Sequence, residues 1–396
     1  MEVINILNFK ILDNKKDLKK FVDIAAFSFS IPISEKEKYL ERHESLFEEG
    51  KKYCTAFDES KLICGFNIHD LNMTFRGAPM KTGGIGDVCS RNDCRGKGGI
   101  SFVFDNALKY MKENNFILSA LYPFNFNFYR KYGYEIFTDS TSYDISSSTL
   151  YFEKNNEDII IEEMDFPDEE TKIYYNEFAS KNYNLVQRDD INWKNSLRNF
   201  FSTEIKSGIV KFKQNNLMKG LIRYFYKNIN GKNKLVIKDL IFSDENIKKS
   251  IFSYIKSLSY QISDLSILVP SDFLIWPYLG DYPKQKTSGG NCMIRIIDIE
   301  KLNDIKFISQ DTSINIEIID HNCSWNNGIW SLTVNDNRLY IEKTSKAHIK
   351  TDIGTLSSIL SGFTNIKDMI SVKRIETIDY NDQDFNLYNT FISEPF

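Results

Sequence analysis

The chain has 396 residues, with 54 acidic against 50 basic side chains and a formal net charge of -4. That balance argues against binding nucleic acid by neutralising phosphates, and 30 Phe with 21 Tyr argue against long disordered spans. The length fits two or three domains, each able to bury its own core.

Met1 to Asn5 has no basic segment leading into an apolar core, so no signal peptide is expected. Apolar spacing predicts a helix near residues 17–29 and a charged amphipathic helix over 34–47. The basic pairs Lys15-Lys16 and Lys19-Lys20 read as a solvated helix face. Strands are expected around 52–57 and 62–73.

Residues 83–137 carry the strongest signal. A short apolar strand at 85–89 leads into Arg95-Gly96-Lys97-Gly98-Gly99-Ile100. The helix that follows places Ile100, Val103, Phe104, Ala107, Leu108 and Met111 on one face. Unpaired N–H groups and the dipole of a helix N-terminus attract a phosphate, and glycines let the backbone approach it. Further on, 116–122 reads as a buried strand stopped by Pro123, 125–132 as a short helix capped by Gly133, and 134–137 as a strand.

Singly, an Arg-x-x-Gly turn is common, and a Phe-Tyr pair on a short helix is more often core than catalytic. In this order the two resemble the GNAT acyltransferase superfamily. Its acetyl-CoA loop reads Arg/Gln-x-x-Gly-x-Gly/Ala, and a Phe-Tyr-x-x-x-Gly-Tyr-like segment follows it. The matching residues here are Arg95 and Gly98, then Phe128-Tyr129-Arg130-Lys131-Tyr132-Gly133-Tyr134. The loop departs from the pattern at Ile100, whose place in the apolar stripe predicts a core-facing side chain.

The first domain is expected over 1–148, with the Ser/Thr-rich run 138–149 as its exit, parts of which could still pair as a strand. The second, 149–288, repeats the plan of the first. A strand at 235–242 leads into a helix with Ile247, Ile251, Ile255 and Leu258 on one face, and a strand at 265–269 ends at Pro270. Its strand-to-helix turn, Ser243-Asp244-Glu245-Asn246, has no glycine and two carboxylates that would repel a pyrophosphate. The third domain, 289–396, opens with a strand at 293–297 and continues through strands near 314–319, 328–334 and 338–342. A helix with Ile353, Leu356, Ile359 and Leu360 follows, ended by Gly362, so this domain is expected to be α+β.

Over its whole length the chain resembles the enhanced intracellular survival family of GNAT N-acetyltransferases. That resemblance implies two GNAT-like domains, each a mixed, mostly antiparallel sheet flanked by helices, then a sterol carrier protein-like domain. The implied fold class is α/β and α+β. The implied activity is transfer of acetyl from acetyl-CoA, a co-substrate, to a primary amine of an aminoglycoside, polyamine, lysine or peptide. Residue by residue, the family's cofactor contacts fall on Val88, Cys89 and Ser90, on Arg95, Gly96, Lys97, Gly98, Gly99, Ile100 and Ser101, and on Phe124 and Asn125. The proton donor falls on Tyr129, and the family's proton acceptor, a C-terminal carboxylate, falls on Phe396.

The tail carries Leu387, Tyr388, Phe391, Ile392 and Phe396, which suits a buried end, and Glu394 is an alternative acceptor. Apolar residues there would equally suit a tail that packs against its own domain. Phe27 and Phe29, just before Pro32, suit either core or the wall of an amine pocket.

Six scattered cysteines without a C-x-x-C pair, and four histidines without ligand spacing, predict no metal site and a reducing, cytoplasmic setting. No stretch approaches bilayer-spanning length, so neither membrane nor nucleic acid is an expected partner. A homo-oligomer, a hexamer in the family, is implied by the resemblance. Cys89 has no evident His partner, so no covalent acyl-enzyme is expected. The alternative function is a lipid or small-molecule binding protein whose acetyl-CoA site is vestigial.

Overall fold

The computed structural model describes residues 7–151, 158–198, 204–290 and 292–394. They fall into two compact units, one drawn from 1–137 and 292–388, the other from 138–291 and 389–395.

The first unit opens with β1 (Leu7–Ile11), α1 (Lys15–Ser28) and α2 (Lys36–Glu48), followed by β2 (Lys52–Asp58), β3 (Lys61–Phe75) and β4 (Ala78–Ser90). Then come α3 (Gly99–Glu113), β5 (Leu118–Leu121), α4 (Phe126–Arg130) and β6 (Glu135–Ile136). Asn14 starts α1 by accepting the Asp17 amide at 2.9 Å, as a helix N-cap should. The stripe Val103, Phe104, Ala107, Leu108 and Met111 is fully buried on the sheet, and Ile100 packs against the same core.

The second unit contains β7 (Ser140–Ser146), β8 (Ile159–Met164), α5 (Glu169–Lys181), β9 (Val186–Gln187) and α6 (Asp190–Ser196). It continues through β10 (Glu204–Gln214), β11 (Leu217–Ile229), β12 (Lys232–Phe242), α7 (Glu245–Ser257), β13 (Asp264–Pro270) and β14 (Gln285–Gly289). The chain then returns to the first unit with β15 (Met293–Ile296), β16 (Ile305–Lys306), β17 (Thr312–Ile319), β18 (Gly328–Asn335), β19 (Arg338–Lys343) and β20 (Ile349–Asp352). It closes with α8 (Ile353–Ser361), α9 (Ile366–Ser371) and β21 (Ile375–Thr377).

Two sheets share one plan. The first runs β1-β2-β3-β4-β5-β15-β6, and the second runs, in the matching direction, β8-β10-β11-β12-β13-β7-β14. In each, one parallel pair joins the fourth and fifth strands, β4 with β5 and β12 with β13. The sequence boundaries are corrected at this point. The strand inside 138–149 is β7, and it pairs with β13 and β14 rather than with the first sheet. The strand at 293–297, expected to open the third domain, instead fills the gap between β5 and β6. Burial explains the placement, because Met293, Ile294, Arg295 and Ile296 are all buried, as an interior strand requires.

The segment from β16 to β21 builds its own sheet, ordered β16-β19-β18-β17-β20-β21. Every residue of α8 is buried, serines included. Ser357 Oγ accepts the Ile296 amide at 2.9 Å and Ser358 Oγ donates to the Ile136 carbonyl at 2.6 Å, so the helix is bonded to β15 and β6. Arg76, fully buried in the β3–β4 turn, donates to the carbonyls of Leu360 (2.7 Å) and Ile308 (2.8 Å) and lies over the Phe307 ring. It thereby caps the C-terminal end of α8 with a positive charge.

Candidate active site

β4 is where the first sheet opens. Its parallel ladder with β5 covers Thr82–Ile85 against Leu118–Leu121, while β4 itself runs on to Ser90 with β3 beside it. One extra residue interrupts the β3–β4 register between Gly65 and Asn67, and Asp87 there has a left-handed φ of 54°. Such a bulge bends and re-aims the strand beyond it, here Val88, Cys89 and Ser90. Asp87 is held by Asn67 Nδ2 at 2.5 Å and the Tyr39 hydroxyl at 3.3 Å, with His43 Nε2 at 3.8 Å. Burial alone would raise its carboxyl, but His43, Arg42, Lys51 and Asn67 outweigh burial and hold it below its ordinary range. Burial pushes the Cys89 thiol well above its usual value, which suits a packed residue and not a nucleophile.

Arg95, Gly96, Lys97 and Gly98 are exposed, and Gly99 is buried. Gly98 is the N-cap of α3 at φ 79°, in the left-handed region that favours glycine, and no side chain caps this helix start. A Cβ on Gly99 would lie 2.9 Å from Cys64 Sγ, so glycine lets the first turn sit tightly on β3. Among the described residues the Arg95 guanidinium has no ion-pair or hydrogen-bond partner. Lys97 Nζ donates to the Asp93 carbonyl at 2.9 Å, bracing the turn. An uncapped helix start, left-handed glycines and an unpartnered cation together fit a pyrophosphate.

Tyr129 is buried on α4, and its ring packs against Phe104, Phe124, Phe128 and Tyr134. Burial pushes its phenol above the usual value. Tyr132 shares a hydrogen bond with Ser101, and Tyr134 donates to Ser119 Oγ at 2.8 Å. The Tyr129 hydroxyl has no hydrogen-bond partner among the described residues. Asn125 starts α4 by accepting the Phe128 amide at 3.0 Å, and Phe124 is exposed beside it.

The structure thus gathers the β4 end, the Arg95–Ser101 turn and the α4 segment around one opening in the first sheet. Phe396 lies outside the described residues. Glu394 is in the second unit, where Arg188 Nε donates to it at 2.7 Å. Phe27 and Phe29 are exposed rather than core, and Phe27 lines a cavity of about 550 Å³ with Lys20, Asp23, Lys61, Ser90 and Asp93.

Residue spacing did not reveal the support beneath α4. Arg295 on β15 is fully buried, donates to the Tyr132 carbonyl and pairs with Asp320 at 2.6 Å. Gly133, at φ 76°, has no room for a Cβ because the Arg295 guanidinium and Ile353 are in the way. The one available sign was a lone Arg within the apolar run Met293-Ile294-Arg295-Ile296-Ile297.

Residues 12–137 match the acetyltransferase (GNAT) domain family, and residues 300–393 match the sterol carrier protein domain family. No curated protein matches the chain. Among solved structures, a GCN5-related N-acetyltransferase from Anabaena variabilis ATCC 29413 superposes with a TM-score of 0.85 at 17% identity, covering 98% of this chain and 100% of that one. A GCN5-related N-acetyltransferase from Kribbella flavida gives 0.82 at 14% identity, covering 98% and 99%. Eis1 from Mycobacterium abscessus gives 0.75 at 15% identity, covering 99% and 100%. At these identities the likeness is one of fold.

Proposed function

We propose that this chain, whose residues 12–137 match the acetyltransferase (GNAT) domain family and whose residues 300–393 match the sterol carrier protein domain family, acetylates a primary amine with acetyl-CoA in a ternary complex. The observation that carries this is the uncapped, glycine-led start of α3 beside the opened β4 edge. Gly96, Lys97, Gly98, Gly99, Ile100 and Ser101 would offer the turn to the pyrophosphate, with Arg95 as countercharge. Val88, Cys89 and Ser90 would pair with the pantetheine arm as with an added strand, and Phe124 and Asn125 would flank it.

When bound, acetyl-CoA supplies an activated thioester. Tyr129 is the proton donor to the departing thiolate. Its burial keeps the phenol protonated at neutral pH, and the same apolar surroundings raise the basicity of a thiolate held beside it. The carboxylate of Phe396 takes the amine proton or anchors the ammonium before attack. An aminoglycoside, a polyamine and a lysine or peptide amine are the acceptor classes this chemistry serves.

A lipid carrier needs an apolar cavity, whereas α8 is packed along its whole length. Six free thiols suit the reducing cytoplasm, and a homo-hexamer belongs to the same proposal. The deciding experiment is thiol release from acetyl-CoA across a panel of amines. Saturable, amine-dependent release is expected. Folded protein that releases no thiol with any amine class would overturn the reading.

A further inference from the structure

Where α2 meets the β4 bulge, a set of polar side chains is short of donors. Tyr39 and His43 come from α2, Tyr53 from β2, Asn67 from β3 and Asp87 from β4. Asp87 takes the left-handed φ of 54°, while Gly86 beside it does not. Strain that falls on an acid instead of the neighbouring glycine marks a side chain held in a set direction.

The hydrogen-bond directions fix what is missing. The Tyr53 hydroxyl donates its one proton to the His43 carbonyl at 3.3 Å. His43 Nδ1 lies 2.9 Å from the same hydroxyl oxygen, so Nδ1 is the protonated nitrogen and donates to it. Nε2 of the neutral ring is then a bare acceptor. It is buried, has no hydrogen-bond partner among the described residues, and faces Asp87 Oδ2 across 3.8 Å. That separation is too long for a hydrogen bond, and neither atom has a proton to give. Asn67 turns its Nδ2 to Asp87, and its Oδ1 is likewise buried without a partner among the described residues. Buried acceptors left open in this way are uncommon and costly.

Asp87 is the member of the set that solvent reaches. Its side chain keeps 15% of its surface, whereas His43, Asn67 and Tyr53 are fully buried. Arg42 and Lys51 act on the carboxylate through space and help to keep it ionised, and their charge disfavours a ligand with several cations at this point. A ligand that completes the set brings one positive charge and at least two N–H donors on a compact head. A primary ammonium has three such donors, and a quaternary ammonium has none. Val88 follows Asp87 directly, so the group would sit one residue from the strand stretch proposed for the pantetheine arm.

We infer that Asp87 is the seat of the acceptor's primary ammonium, and that His43 orients it by accepting a second N–H at Nε2. The inference rests on the acetyl transfer proposed above and names residues that would hold the acceptor. It leaves the proton donor and acceptor unchanged.

The first test needs no variant that could misfold. Full-length protein with nitrogen-15 in its histidines is titrated with n-butylammonium chloride and, separately, with tetramethylammonium chloride. The His43 Nε2 resonance is assigned by its loss in His43→Gln. An unprotonated Nε2 is expected in the free protein, with a saturable shift on butylammonium and none on tetramethylammonium. In thiol-release assays with the best amine of the panel, Asp87→Asn should raise KM for the amine roughly tenfold or more while KM for acetyl-CoA holds, and His43→Gln should raise it less. No shift with either salt, or an equal shift with both, would overturn the site, and so would an unchanged amine KM in folded Asp87→Asn. The two readings fail separately. A selective Nε2 shift in a protein that releases no thiol with any amine keeps the ammonium seat and sinks acetyl transfer. Thiol release without the shift sinks the seat alone.

Discussion

Ser101 Oγ and the Tyr132 hydroxyl stand 3.0 Å apart, which ties the first turn of the helix beneath the glycine turn to the segment that carries Tyr129. The Tyr132 ring also stacks on Phe104 of that helix, with centroids 4.0 Å apart. Tyr132→Phe keeps the stack and removes the bond. It should cost about 1 kcal/mol of stability and raise KM for acetyl-CoA modestly, with kcat nearly unchanged, as read by urea titration and thiol-release kinetics.

Tyr129→Phe should do the opposite. Its hydroxyl carries no internal hydrogen bond among the described residues, so stability should hold, while kcat falls about 100-fold or more. Unchanged turnover would remove Tyr129 from the chemistry. The contrast between two neighbouring tyrosines is the informative part of the measurement.

Gly98→Ala places a Cβ at φ 79° in open space, so nothing collides, but the left-handed backbone costs an L-residue about 1–2 kcal/mol. A relaxed turn should present its amides less well to an anion. KM for acetyl-CoA should rise roughly tenfold, equivalent to about 1.4 kcal/mol, with kcat little altered.

Two buried histidines should cost stability between neutral and mildly acid pH: His69, held well below its ordinary value by burial, and His43. Burial holds His43 at about 4, against an ordinary value of 6.5, with Arg42 and Lys51 adding to the effect and Asp87 opposing it. Below 6.5 the unfolded chain binds a proton that the folded chain refuses until about 4. Stability is therefore complete above that range and is lost as pH falls through it, by on the order of 3 kcal/mol. Asp87, itself held low, adds a loss of the same sign at still lower pH. Urea midpoints from neutral pH down to pH ~4.5 should show the slope in wild type and a flatter one in His43→Gln.

The candidate segment is legible in the sequence because its signals are local. Gly98 and Gly133 mark left-handed positions, and the stripe from Ile100 to Met111 is a helix period written in adjacent turns. The strand from Met293 is equally legible as a strand, but nothing local says that its partners are Leu121 and Ile136. The run 138–149 reads as an exit with only a hint of strand, because Ser, Thr and Asp occupy positions that pairing on both sides makes extended. The buried, ion-paired quartet of Arg188, Arg223, Asp239 and Glu394 in the second unit is invisible for a further reason. Its members come from separate elements, and each alone is an ordinary surface charge until the fold removes the water.

The place of β15 between β5 and β6 also governs when the first sheet can exist at all. A nascent chain that has emerged only as far as Phe137 holds β5 and β6 without the strand that joins them. Synthesis must continue through residues 138–291 before Met293–Ile296 leaves the ribosome. At ~5–20 residues per second that is a wait on the order of 10 s, with an open apolar edge at Leu118–Leu121 exposed to chaperones and to neighbouring chains. The sheet of the domain over residues 12–137 is thus finished only after residues 138–291 have been made.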